Sequence, residues 1–224
     1  MALINFEDWQ NDGWTIVTAR ALAAAGSFCS NDTGRPTLGA VCIETNEEGT
    51  YLSGTDSYKF ARIRNRNMTK NPSGRIMVKW SQLKKCRLIT AKPKANAMVA
   101  IRQFEPSNEY PMGCVRVKVL EPAYVGHELA GSATLDVIEG SFPSWEKLDG
   151  HKALIGDKKQ SNVGPGLNTS FLISIFKTIE LAVSDCGGAI TQFVHGGSCM
   201  QPIYFHAENA SGESIWTIQM PVRI

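Results

Sequence analysis

Twelve lysines and arginines crowd the stretch from Lys59 to Lys94, which holds no aspartate or glutamate: Lys59, Arg62, Arg64, Arg66, Lys70, Arg75, Lys79, Lys84, Lys85, Arg87, Lys92 and Lys94. The chain as a whole has 23 basic and 21 acidic residues, a formal charge of +2, so everything outside this stretch is net acidic. Such a segment attracts a polyanion, because phosphates neutralised by Lys and Arg release their counterions, while the acidic remainder discourages indiscriminate sticking. On charge alone nucleic acid is the expected partner; a solvated basic face with no partner is the alternative.

Catalytic chemistry has little to work with. The histidines His127, His151, His195 and His206 are isolated, and His206 sits in a strand-like run that suits a structural role. The GGSCM around Cys199 is not followed by the strand–turn–helix context of a nucleophile elbow, and GDKKQSNVGPG lacks phosphate-loop spacing. Six cysteines (Cys29, Cys42, Cys86, Cys114, Cys186, Cys199) form no CxxC pair and have no histidine at zinc-ligand spacing. They read as reduced, mostly buried thiols. No enzyme activity, metal or cofactor is expected.

Positioning such a basic surface takes a core, and 224 residues with 43% hydrophobic and 20% charged side chains can build one. The start, MALINFEDWQNDGW, lacks the pattern of a signal peptide, and no run approaches the roughly 20 apolar residues that cross a bilayer, so a cytoplasmic protein without membrane contact is expected. From Thr15 to Phe28 apolar residues recur at helical spacing up to Gly26, predicting a short Ala-rich helix. LGAVCIET, GTYLSGTD and SYKFARIRN then read as three strands separated by turn residues. After the loop NRNMTKNPSG come a strand, RIMVKW, and a helix, SQLKKCRLI, with Ser81 as candidate N-cap. Three more strands follow in AMVAIRQF, GCVRVKVLE and SATLDVIEG.

The same order of elements occurs twice, and a third copy begins at LNTSFLISIFKTIELA, with Asn168 as candidate cap, before GAITQFVHG, MQPIYFHAE and SIWTIQMPVRI. Residues 1–145 are therefore expected to form a complete two-repeat domain. Residues 146–224 are expected to form a second, shortened one, entered through a Gly- and Lys-rich linker at 146–165.

Three blocks of this sequence resemble the bacterial β sliding clamps of DNA polymerase III and their phage relatives. RPTLGAVCIET with LSGTDSYKFARI is similar to that family's second-domain pattern, VIEGSFPSWEKL to its interdomain signature, and the terminal QMPVRI to its closing Met-Pro-Met-Arg-Leu. The blocks agree in order and spacing over residues 10–148 and 164–224. The chain departs at Ser57, where the family has glycine, and at Ser144 and Trp145, where it has Asp and Tyr. It also shows three repeats where two complete domains need four.

The resemblance implies an α+β fold of DNA-clamp-like repeated units, antiparallel sheets with helices on one face. It implies a homo-oligomeric ring around duplex DNA, read without sequence preference; three copies close it if each chain supplies two full domains. Channel-facing cations would be Arg20, Lys84, Lys85, Arg87 and Lys177. A groove for short peptides of a DNA polymerase and a clamp loader would be walled by Thr55, Tyr58, Lys59 and Phe60, by Pro143, Lys147 and Leu148, by Asn168 and Phe171, and by Ile218, Met220, Pro221, Val222 and Arg223. The terminal strand would then be pinned in a sheet as part of that groove. The expected function is that of a processivity factor; a non-encircling decoy or adaptor for clamp-binding peptides, or a basic DNA-binding surface protein, are the alternatives.

Overall fold

The structure, a computed structural model, describes residues 4–65, 71–86, 89, 93–143, 169–183, 190–195, 202–209 and 212–220. A short helix, α1 (Phe6–Asn11), starts where the Asn5 side chain accepts a hydrogen bond from the Glu7 amide, with Glu7 and Asp8 in its first turn. The segment TIVT consists of four β-branched residues and is a strand, β1 (Thr15–Thr18), rather than the start of a helix. The Thr18 hydroxyl then accepts from the Ala21 amide and opens α2 (Ala19–Gly26). The helix expected from Thr15 is thus a strand leading into a capped helix.

The first unit continues with β2 (Ala40–Asn46), β3 (Gly49–Thr55) and β4 (Lys59–Arg64). The second runs β5 (Gly74–Lys79), α3 (Trp80–Lys85), β6 (Met98–Phe104), β7 (Cys114–Pro122) and β8 (His127–Asp136). Both units therefore read strand, helix, three strands. Here α3 begins directly after β5 with Lys79 at the N-cap position and no side-chain cap; Ser81, the expected cap, lies inside the helix. A third unit contributes α4 (Thr169–Val183), β9 (Ile190–His195), β10 (Ile203–Glu208) and β11 (Ser214–Gln219). Asn168, its expected cap, lies outside the described residues.

The first two units exchange their opening strands. β1 pairs with β6, giving a four-stranded sheet β1-β6-β7-β8, while β5 pairs with β2. The third unit joins through β11 and β4, so a seven-stranded antiparallel sheet runs β5-β2-β3-β4-β11-β10-β9. One core lies between the helices and the sheets, built from residues such as Leu22, Phe28, Ile43, Leu52, Ile63, Leu83, Ile101, Ile175 and Ile215. Two glycines permit its close approaches. A Cβ at Gly26 would enter the Trp80 ring, and one at Gly54 would enter the Ala25 carbonyl.

As an edge strand, β1 needs partners for the backbone groups that β6 does not reach. Two asparagines supply them. The Asn71 side chain accepts from the Ile16 amide at 2.9 Å and donates to the Ile16 carbonyl at 2.9 Å, as a neighbouring strand would. It also donates to the Thr50 hydroxyl at 3.0 Å and accepts from Gln10 at 2.6 Å. The Asn65 side chain accepts from the Thr18 amide at 2.8 Å, and its own amide donates to the Thr50 carbonyl. Both come from the stretch expected to be a plain loop. They tie β1 of one sheet to β3 of the other.

Candidate peptide groove and helix face

Strand side chains alternate between faces, and the register of β4 against β11 decides which residues share one. Phe60 lies opposite Ile218, and Lys59 opposite Gln219. Phe60 and Ile218 point away from the helices and join Cys42, Tyr204 and Phe142 in a separate buried cluster, with Met77 packed against it. Beside it are two exposed side chains, Tyr58 (66% exposed) and Met220 (42%), joined where the Met220 amide donates to the Tyr58 carbonyl at 3.0 Å. Pro143, next to Phe142 in the chain, is exposed.

The turn feeding β4 is held by side chains. Thr55 donates its hydroxyl proton to the Lys59 carbonyl at 2.8 Å and accepts from the Ser57 amide at 3.2 Å. The Asp56 carboxylate accepts from the amides of Tyr58 and Lys59, both at 3.0 Å. Ser57 sits at φ 80°, the left-handed region that glycine adopts without strain.

The predicted groove residues divide between faces. Tyr58, Phe60, Ile218 and Met220 gather around the junction of β4 and β11, and Thr55 is buried in the turn beside them. Lys59 lies on the other side of the sheet: its Nζ donates to the Ser27 carbonyl at 3.2 Å, stands 4.9 Å from the Phe28 ring centroid and is 3.9 Å from Asp56. Phe171 is half-buried in the first turn of α4, a helix that packs on that same side against α2, β10 and β11. Lys147, Leu148, Asn168, Pro221, Val222 and Arg223 lie outside the described residues. Sequence reasoning did not include Cys42, Met77, Phe142 or Tyr204. The signal for three of them was strand register, since Cys42 lies directly across from Met77 and Tyr204 from Ile218, whereas Phe142 follows β8 outside any strand and had no such signal.

On the helix face, Lys84 and Lys85 are exposed in the last turn of α3 and Lys177 on α4, whereas Arg20 on α2 is half-buried. Arg87 lies outside the described residues. Lysines in a last turn also favour the helix by facing its negative end, so Lys84 and Lys85 have a local role as well. Helices α2 and α4 meet across the boundary between units, where the hydroxyls of Ser27 and Thr178 are 2.9 Å apart.

Part of the basic stretch is neutralised internally. Arg62 is buried with its guanidinium 4.1 Å from the Tyr51 ring centroid and 3.3 Å from Glu44. The same carboxylate holds Arg75 at 2.9 Å, and Glu121 holds Lys94 at 2.5 Å. Burial pushes the Cys29 and Cys42 thiols up to about 12, which leaves them protonated and unreactive. Among the described residues no group of three or more His, Cys, Asp or Glu could hold a metal ion, and no helix is long and apolar enough to cross a membrane.

Repeated units whose sheets carry α2, α3 and α4 on one face, with a sheet continuing across the boundary between units, define a DNA-clamp architecture. Solved structures with this fold include bacterial β sliding clamps. The DNA polymerase III subunit beta of Pseudomonas aeruginosa superposes with a TM-score of 0.59 at 14% identity, over 94% of this chain and 66% of that one. The DNA polymerase III beta chain of Streptococcus pneumoniae gives 0.57 at 12%, over 94% and 65%. The beta sliding clamp of C. crescentus gives 0.56 at 15%, over 100% and 68%. The chain thus spans about 65% of the length of the first of these clamps to which it is similar. No family model and no curated protein matches it.

Proposed function

We propose that this chain is a sliding-clamp-like processivity factor: it holds duplex DNA against its helix face without reading sequence and tethers a polymerase through the outer cleft at the junction of β4 and β11. The observation that carries this reading is the pairing of Phe60 with Ile218 on the helix-free face, with Tyr58 and Met220 exposed alongside. Apolar and thioether side chains at such a place suit a site that accepts several short motifs, because Met repacks around different anchors. Lys84, Lys85 and Lys177 supply mobile cations for phosphates on the opposite side. Topological linkage requires several copies in a ring, three if each chain supplies two full domains. No reaction is catalysed in this reading, and the protein works in the cytoplasm.

A second reading needs the cleft without a ring: a non-encircling relative that occupies clamp-binding peptides as a decoy or adaptor. Retention on circular DNA, with loss after linearisation, separates the two. Fluorescence titration with a short apolar clamp-binding peptide tests the cleft itself: Met220→Glu is expected to abolish binding, and Lys84→Glu/Lys85→Glu to leave it intact while weakening DNA retention. Unchanged peptide affinity in Met220→Glu refutes the assignment.

A further inference from the structure

The outer face of the four-stranded sheet carries a set of cations and aromatic rings that the clamp reading does not use. Strands β6 and β7 place Arg102 directly opposite Arg116. Their guanidinium carbons stand 4.8 and 4.7 Å from the Phe104 ring centroid. One same-face position further along β7, the Lys118 ammonium lies 4.5 Å from the Trp9 ring and 4.6 Å from the Trp14 ring. Trp9 and Trp14 are 5.6 Å apart and Trp14 and Phe104 6.2 Å, so rings from α1, from the residue before β1 and from β6 form one continuous row. Like charges directly opposite on a sheet repel. Among the described residues no carboxylate lies within 4.0 Å of Arg102, Arg116 or Lys118 to offset this. Arg116 is exposed, and Arg102, Lys118, Trp9 and Phe104 are half-buried and reachable.

A guanidinium held against a ring keeps a fixed plane, with N–H edges free for phosphate oxygens and its outer face free for a base. A cationic strip interleaved with aromatic rings is the arrangement by which sheet surfaces bind unpaired strands without reading sequence. We propose that this face binds single-stranded nucleic acid, with phosphates on Arg102, Arg116 and Lys118 and bases stacked on the guanidinium planes and adjoining rings. It lies on the side of the sheet away from α2 and α3, so a strand here leaves Lys84 and Lys85 free for duplex. The proposal stands apart from the polymerase-tethering reading and does not depend on it.

The test is fluorescence anisotropy of the full chain with labelled oligothymidylate across a salt series. Arg102→Gln/Arg116→Gln is expected to weaken binding about tenfold or more. The same variant is expected to lower the slope of log affinity against log salt by ~1.4, two phosphates at ~0.7 each. Arg116→Gln alone, at an exposed position that cannot disturb the core, is expected to remove about half of that slope. Arg35→Gln, an exposed cation beside Asp32 in the segment before β2, is expected to leave the oligothymidylate affinity within twofold. Unchanged affinity and slope in the double arginine variant, or an equal loss in the Arg35 variant, overturns the proposal. So does competition by polyglutamate equal to that by oligothymidylate at matched charge, which assigns the face to acidic polypeptides instead.

Discussion

Replacing Asn71 with alanine removes four hydrogen bonds from a buried side chain, to Gln10, to both backbone groups of Ile16 and to Thr50. Ile16 is itself buried and lies on the open edge of β1, so its amide and carbonyl lose these partners without gaining water. Each buried backbone group left unpaired costs about 1–3 kcal/mol. The two at Ile16, with some loss at Gln10 and Thr50, put the destabilisation at ~3–5 kcal/mol. That is a large part of the ~5–15 kcal/mol available to an ordinary domain. Urea denaturation followed by tryptophan fluorescence reads it, Trp14 being two residues from Ile16. Asn71→Asp keeps an acceptor for the Ile16 amide but offers no donor to its carbonyl at neutral pH, so its loss falls between wild type and alanine. A change below about 1 kcal/mol for Asn71→Ala refutes the reasoning, because it means that water or a rearranged strand serves Ile16 equally well.

Gly26→Ala raises intrinsic helix propensity by about 1 kcal/mol, yet its Cβ would enter the Trp80 ring, so a net destabilisation of ~1–2 kcal/mol is expected; Trp80→Leu in the same chain relieves it in a double-mutant cycle. Ser57→Gly is expected to raise the unfolding midpoint, worth ~1 kcal/mol, since only the glycine adopts φ 80° without strain. Stability falls as pH rises above 9 toward about 12, because the Cys29 and Cys42 thiols ionise near 9.0 when unfolded but only near 12 when folded. Below the unfolded value the protonated state costs neither form anything; above it the unfolded chain sheds protons that the folded one retains, at ~1.4 kcal/mol per pH unit and thiol. Cys42→Ala is expected to flatten that decline in alkaline denaturation curves.

The repeated order of elements was legible because turn residues and β-branched runs recur in step, and those signals are local. What went unread depended on partners distant in sequence. TIVT has the composition of a strand, but the Ala-rich run behind it carries a helical period that absorbs its apolar residues. Asn65 and Asn71 look like turn formers until β1 stands beside them. Phe60, Ile218 and Met220, grouped from the sequence, do meet at the junction of β4 and β11, whereas Lys59 was grouped with its neighbour although adjacent strand residues face opposite ways. The basic stretch suggested one uniform surface; Glu44, shared by Arg62 and Arg75, and Glu121, beside Lys94, lie outside it in sequence and offset part of its charge in space.

The exchange of opening strands also governs how the molecule comes off the ribosome. β1 emerges well before the strand it joins, β6, which is made only after the rest of the first unit and the start of the second. At ordinary elongation rates the nascent chain waits several seconds with TIVT unmatched. Order of synthesis and order of sheet assembly therefore differ, and a chain released after Arg64 would carry an opening strand with no sheet to enter.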